Sequence, residues 1–335
     1  MEAIGARGEV GEVAPRRIKF NSSFAPGSCG SAGSLKLGRV GNRTSILAQA
    51  TEHYHEHGYV VLPRYLCEDD LAPAQAELEL MFPTAEEYHA GADPARNARF
   101  TGGAFAGIDL FPYSSVEWSL LGLSPSIAAL AEALLGTAAI RLYEAHNWAK
   151  YSGATDYDQQ LHCDYRNHTP VVPSDDPTLA EVEMFIYIHE VPEELGPTHV
   201  VSQRHTRNLP MWPPRITREE HPEIYTHEVS TAGPAGTVLA YKTSTYHRGT
   251  AMSASGGARF SLKASYRTVS DIWFDKMSLT ERLGESWYRF VEQATPRQLE
   301  LVGFPPRGHR YWTSRTWSDV CDRYPDADLS AFRPQ

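Results

Sequence analysis

Apolar positions change their period partway along the chain, and that change organises the reading. Ile46, Leu47, Ala50 and Tyr54 fall at helical spacing, which predicts a helix from near Ser45 with a stop at Gly58. Tyr59-Val60-Val61-Leu62 then predicts a short strand closed by Pro63. Glu68 to Phe82 predicts a helix, with acids in its first turn and Leu71, Leu78 and Met81 along one stripe. Residues 83 to 117 are rich in Gly, Ala and Pro and predict a long loop region. A second helix, Ile127 to Leu135, is announced by Ser124 at the cap, Pro125 behind it and Gly136 after its end. From Ala139 the period becomes two. Ile140–Tyr151, Glu183–Val191, Thr237–Tyr241 and Arg259–Tyr266 predict strands joined by Pro/Gly-rich connections. After Asp271 the spacing is helical again, most clearly over Leu279–Ala294.

These elements predict a mainly β protein with flanking helices, built as a double-sheet barrel or jelly roll. Residues 1–44, rich in Gly, Ser and Ala and without a sustained period, are expected to be a flexible leader. Residues 45–270 are expected to form the functional domain, and 271–335 a helical C-terminal extension.

Composition narrows the class. The 335 residues carry 31 basic and 41 acidic side chains, a formal charge of −10, which argues against nucleic acid or an anionic membrane as partner. No apolar run is expected to reach the roughly 18 residues of a membrane helix. The first residues lack the apolar core of a secretory signal, and the four cysteines show no C-x-x-C pair. The expectation is a cytoplasmic protein with reduced thiols, monomeric or homodimeric, that acts on a small molecule.

There are 14 histidines, and most read as ordinary. His53 and His57 lie one helical turn apart, yet nothing nearby completes a metal site, so they are expected to form the polar end of a helix. Gln160-Leu161-His162-Cys163-Asp164 is more informative. In an extended segment His162 and Asp164 project to one face while Cys163 points away. One imidazole and one carboxylate make two-thirds of a facial triad for ferrous iron. His247, at a strand–loop junction, fits the third place. Arg259 follows 12 residues later, with Ser261 on the same face. An arginine fork with a hydroxyl suits a carboxylate bound away from water. The same ligands also suit zinc with a bound water, so a zinc-dependent hydrolase and a non-catalytic metal-binding barrel stand as alternatives.

Taken in order along the chain, these motifs resemble the phytanoyl-CoA dioxygenase family of iron(II)- and 2-oxoglutarate-dependent oxygenases. Tyr54 to Pro63 is similar to the family's helix-to-strand opening, and Cys67 to Leu80 to its next helix. His162-Cys163-Asp164, Val191 to Thr198, Gly236-Thr237-Val238, His247 and Arg259 follow in the family's order, so the resemblance covers about 48–268. It implies a double-stranded β-helix, a cupin-like jelly roll, with Fe(2+), 2-oxoglutarate as co-substrate and O2. It further implies that His162, Asp164 and His247 hold the iron and Arg259 pairs the far carboxylate of 2-oxoglutarate. Gln160 and Thr198 look like co-substrate contacts, with Ser261 and Lys150 as further candidates. The charges support this: iron(II) and Arg259 balance Asp164 and the dianionic co-substrate in a buried site. The intact carboxylate implies hydroxylation or a related oxidation, with release of succinate and CO2, and not halogenation. Two departures stand out. Ser202-Gln203-Arg204-His205 replaces a Ser-His pair, and Gly249 stands where a small hydroxyl is common. Tyr165, Trp148, Phe105 and Phe111 are candidate pocket aromatics, more in keeping with core.

Overall fold

The computed structural model describes residues 37–102, 106–154, 158–167, 173, 177–209, 214–269, 285–309, 312 and 314–334. From α1 (Leu37–His57) the chain enters β1 (Tyr59–Leu62) and then the short helices α2 (Glu68–Ala76), α3 (Leu78–Met81), α4 (Ala85–Ala90) and α5 (Pro94–Asn97). Next come β2 (Asp109–Leu110), α6 (Val116–Leu121) and α7 (Pro125–Leu135). The β region is β3 (Ile140–Tyr151), β4 (Leu161–His162), β5 (Glu181–Tyr187), β6 (Thr198–Val201), α8 (Gln203–Thr206), β7 (Arg215–Ile216), α9 (Pro222–Tyr225), β8 (Glu228–Ser230), β9 (Val238–Tyr241), β10 (His247–Gly249) and β11 (Ala258–Thr268). Helices α10 (Glu285–Gln293), α11 (Pro296–Leu301) and α12 (Ser314–Arg323) close the chain.

The strands form a six-stranded sheet, ordered β1-β9-β5-β11-β3-β2, and a five-stranded sheet, ordered β7-β4-β10-β6-β8. All the registered pairs are antiparallel. This is the expected jelly roll with flanking helices. Strand β11 shows how it is held together. Phe260, Leu262, Ala264 and Tyr266 join the main core beneath α7, while Arg259, Ser261, Lys263, Ser265 and Arg267 alternate with them onto the other face. Both sets are buried. The polar face therefore looks into the barrel and not into solvent, and that face builds the site.

Several local expectations shift. Helix α1 begins at Leu37, ahead of Ser45. Gly38 and Gly41 weaken the local helical signal there. The single helix expected over 68–82 turns at Glu77 into α2 and α3. Pro73 has already removed one helix donor, and the Glu77 carboxylate accepts a hydrogen bond from Ser115. The expected loop at 83–117 holds α4, α5, β2 and the start of α6. Its missed signals are caps: Thr84 with Glu87 makes a capping box, and Asp93 caps a helix opened by Pro94. By contrast α7 follows its expected punctuation, with Ser124 Oγ accepting from Ile127 N–H and Gly136 in the left-handed region at φ 69°.

Val116–Leu135 is, by length and composition, apolar enough to cross a membrane, which the sequence reading missed. It is split into α6 and α7, with 67% of the window buried inside the fold. The C-terminal helices share the main core: the Phe290 ring meets Phe111 edge-on at 5.1 Å, and Leu299, Leu301 and Phe332 join the same cluster. Phe111 is thus core. Cys163 and Cys321 are free thiols, whereas Cys67 is disulfide-bonded, a departure from four reduced thiols. Phe105 lies outside the described residues, as does the first part of the Leu279–Ala294 helix.

Candidate active site

Strands β4 and β10 lie side by side in the smaller sheet, with His162 directly opposite His247. Their ring centroids are 4.6 Å apart. Strand β4 ends at His162, and Asp164 opens a 3-10 turn, so the extended geometry expected for His-x-Asp holds only in part. The turn still brings Asp164 back to the histidines. Its Oδ1 is 3.7 Å from His162 Nε2, and its Oδ2 is 3.5 Å from His247 Nε2. Cys163 points away, its Sγ on the carbonyl of Ser244 at 3.3 Å.

Local structure prepares these donors. His162 Nδ1 lies 2.9 Å from the carbonyl of Gln160, and His247 Nδ1 lies 3.1 Å from that of Thr245. Each Nδ1–H is therefore spent on backbone, and each Nε2 lone pair faces the common centre. The Thr245 loop is itself anchored where α1 ends. Gly58, at φ 79°, accepts from Thr245 Oγ1 at 2.7 Å, and a Cβ there would collide with Gln203 and Thr245. Burial, then the neighbouring His247, lowers the pKa of His162 from 6.5 to about 4, so its imidazole is neutral. Among the described residues His162, Asp164 and His247 form a group whose ligand atoms lie within 4.8 Å of one another and could hold a metal ion. Two imidazole nitrogens and one carboxylate suit iron(II).

The larger sheet faces this centre. Burial alone would raise the Asp164 carboxyl, but Lys263 and then His247 hold it well below the ordinary carboxylate range. Lys263 Nζ is 3.1 Å from Asp164 Oδ2, and Tyr241 donates to the same oxygen at 3.0 Å. The same ammonium also pairs with Glu183. Glu183 further accepts from Tyr143 and Ser265 at 2.9 Å each, and burial pushes its pKa up to about 7. Burial, with Asp164 beside it, raises the Tyr241 phenol and keeps it a donor.

The residues expected to meet a co-substrate cluster at one end of the inner face. Arg259 pairs in register with Lys150, and Ser261 with Tyr187 and Trp148. Thr198 pairs with Gly249, and all of Arg259, Lys150, Ser261 and Thr198 are buried. Gln160 is exposed and offers its backbone carbonyl to His162. Its neighbour Gln159 reaches inward instead, accepting from Gly249 N–H at 2.8 Å. A Cβ on Gly249 would sit 3.0 Å from Gln159 Oε1 and 3.4 Å from Lys150 Nζ, so a larger side chain there would press on both. Trp148 is on the same inner face, stacked on Phe185 at 5.6 Å, while Tyr165 packs with Leu161 and Cys163.

His53 and His57 form a helix end, as expected. His53 stacks on His57 at 4.2 Å at the end of α1, and His57 Nδ1 meets Ser202 Oγ at 2.8 Å. Lys263, Glu183, Tyr241 and Gln159 are the site residues that sequence reasoning missed. Lys263 and Glu183 alternate with apolar neighbours on β11 and β5, whereas Tyr241 ends the apolar β9 run and Gln159 lies in the connection before β4, where no local pattern marks them.

A family model described as "Phytanoyl-CoA dioxygenase (PhyH)" matches residues 54–260. Among solved structures, the chain is similar to EctD from S. alaskensis in its apoform, with 17% identity over 68% of this chain and 79% of that one and a TM-score of 0.50. It is similar also to the epimerase SnoN, solved with Fe3+, alpha ketoglutarate and nogalamycin RO, at 22% identity over 67% and 84% and a TM-score of 0.49. No curated protein matches it.

Proposed function

Because the chain belongs to the phytanoyl-CoA dioxygenase family of iron(II)- and 2-oxoglutarate-dependent oxygenases, we propose that His162, Asp164 and His247 hold its iron and that Arg259 receives its co-substrate. The single observation that carries this assignment is the convergence of the three ligand atoms within 4.8 Å on the wall facing the Arg259 strand. Iron(II), 2-oxoglutarate and O2 together supply an oxidant for the substrate, with succinate and CO2 as co-products.

The protein's share is positioning. His162 and His247 keep their protons on Nδ1, against backbone carbonyls, and present Nε2. Arg259, with Lys150 beside it and Ser261 on the same face, binds the far carboxylate of 2-oxoglutarate by charge and hydrogen bonds. Thr198 and Gln159 border that end through Gly249. The helices and the larger sheet bury this region and limit access of water.

In this reading the substrate is a small molecule, and the protein works in the cytoplasm as a monomer or homodimer, with neither nucleic acid nor membrane as partner. A zinc hydrolase would leave the buried Arg259 face without a role. The test is a metabolite screen with iron(II), 2-oxoglutarate and O2 that reads succinate. Substrate-stimulated succinate release, lost in His247→Ala, supports the reading. A protein that binds both iron and 2-oxoglutarate yet releases no succinate with any compound would instead favour a binding barrel.

A further inference from the structure

The larger sheet places two donors on one oxygen of Asp164. Lys263 Nζ at 3.1 Å and Tyr241 Oη at 3.0 Å both meet Oδ2. They come from different strands, β11 and β9, on either side of β5. Lys263 is held in turn by Glu183 of β5, whose carboxylate is fixed by Tyr143 and Ser265. Lys263, Glu183 and Tyr241 are all buried. A lysine buried this completely costs much stability unless it is paired. Pairing with Glu183 alone would meet that need, so the second contact, to Asp164, calls for its own explanation.

We propose that Lys263 and Tyr241 are positioning residues that occupy Asp164 Oδ2, leave Oδ1 for the metal, and so fix Asp164 as a one-oxygen ligand, with Glu183 holding the lysine in place. The proposal rests on the iron assignment above. The Lys263–Glu183 pair contributes no net formal charge, so the balance among iron, Asp164, 2-oxoglutarate and Arg259 is undisturbed. A carboxylate whose second oxygen carries two donors also gives less charge to a metal than a bare one, so these residues moderate the electron density at the iron. A carboxylate confined to one oxygen occupies a single coordination position, and the co-substrate and O2 need the others.

The test uses the full chain without oxygen. Iron(II) affinity is measured for the wild type, Tyr241→Phe, Glu183→Gln and the pair Lys263→Met/Glu183→Gln. The visible charge-transfer band of the 2-oxoglutarate complex is recorded for each, and melting of the metal-free proteins confirms folding. The paired variant removes the cation and its counter-ion together, so net charge is constant. Tyr241→Phe removes a single oxygen and decides the matter should the paired variant fail to fold. The expected result is iron binding weaker by about 10- to 100-fold in Tyr241→Phe and in the paired variant. Their bands move to longer wavelength, because Asp164 then gives more charge to the iron. Glu183→Gln, which keeps the lysine, loses less than about tenfold. Folded variants with wild-type iron affinity and an unmoved band would overturn the proposal and leave Lys263 and Tyr241 as structural fillers. A wild type that binds iron but gives no band would instead overturn the oxygenase assignment, and iron affinity alone would then decide the role of the two donors.

Discussion

Arg259 and Lys150 are direct partners across the β3–β11 ladder, and both are buried on its inner face. Two cationic side chains on one buried face suit an anionic ligand such as the far carboxylate of 2-oxoglutarate. Arg259→Ala is therefore expected to weaken 2-oxoglutarate by about 10- to 100-fold, the range of a charge-assisted hydrogen bond. Iron affinity should change by only a few-fold, since Arg259 touches no metal ligand. Lys150→Ala should show the same selectivity with a smaller loss. Parallel titrations of metal and co-substrate check this, and equal losses for the two ligands would contradict the role given to Arg259.

Gly249 tests how tightly that end is packed. The Cβ of Gly249→Ala would press on Gln159 Oε1 at 3.0 Å and Lys150 Nζ at 3.4 Å. Displacing Gln159 breaks its hydrogen bond to the Gly249 N–H. The expected outcome is a KM for 2-oxoglutarate raised several-fold, by loss of roughly one hydrogen bond's 0.5–1.5 kcal/mol. Iron affinity should hold. Steady-state kinetics with varied 2-oxoglutarate provides the measurement, and an unchanged KM would show that the pocket does not depend on this contact.

Much of the candidate site was legible in the sequence because the three residues proposed to hold the iron sit at strand ends and turns, where chemistry-bearing residues interrupt apolar runs. His162, Asp164 and His247 stand out against Leu161 and the β9 run Val238–Tyr241. The strands β3, β9 and β11 were legible from period alone, and α7 from its caps. The second layer of the site was not. Lys263, Ser265 and Glu183 alternate with apolar residues in the way a half-solvated sheet does. Only the second sheet, laid over that face, turns them into an interior network, and strand alternation carries no information about what covers a face. Helices α4 and α5 were missed for another reason. Each is under two turns long, and only its cap marks it.

Glu228 gives the fold a defined response to acid. On the outer side of the smaller sheet it accepts from Arg248 at 2.6 and 3.0 Å and from His199 at 3.1 Å. Burial alone would raise its pKa, but the bonds from His199 and then Arg248 outweigh burial and set it below the ordinary 4.5. A carboxyl depressed in the folded state stabilises fully above its unfolded pKa, and that contribution fades as pH falls through the folded pKa. Glu228→Gln is expected to cost about 3 kcal/mol near neutrality, since it leaves Arg248 buried with half its counter-charge gone. The gap to wild type should close as pH drops below 4.5. Denaturant titrations across the acid range measure it, and a gap that stays constant would remove Glu228 as the source.

The central claim is that His162, Asp164 and His247 form an iron site built to hold a keto acid, and one spectrum addresses it most directly. Iron(II) and 2-oxoglutarate are added to the protein without oxygen, and the visible charge-transfer absorption of a chelated keto acid is sought. The expected result is a band that requires both additions, vanishes in His162→Ala, and in Arg259→Ala returns only at much higher 2-oxoglutarate. No band at saturating iron and co-substrate, or one that survives His162→Ala, would contradict it.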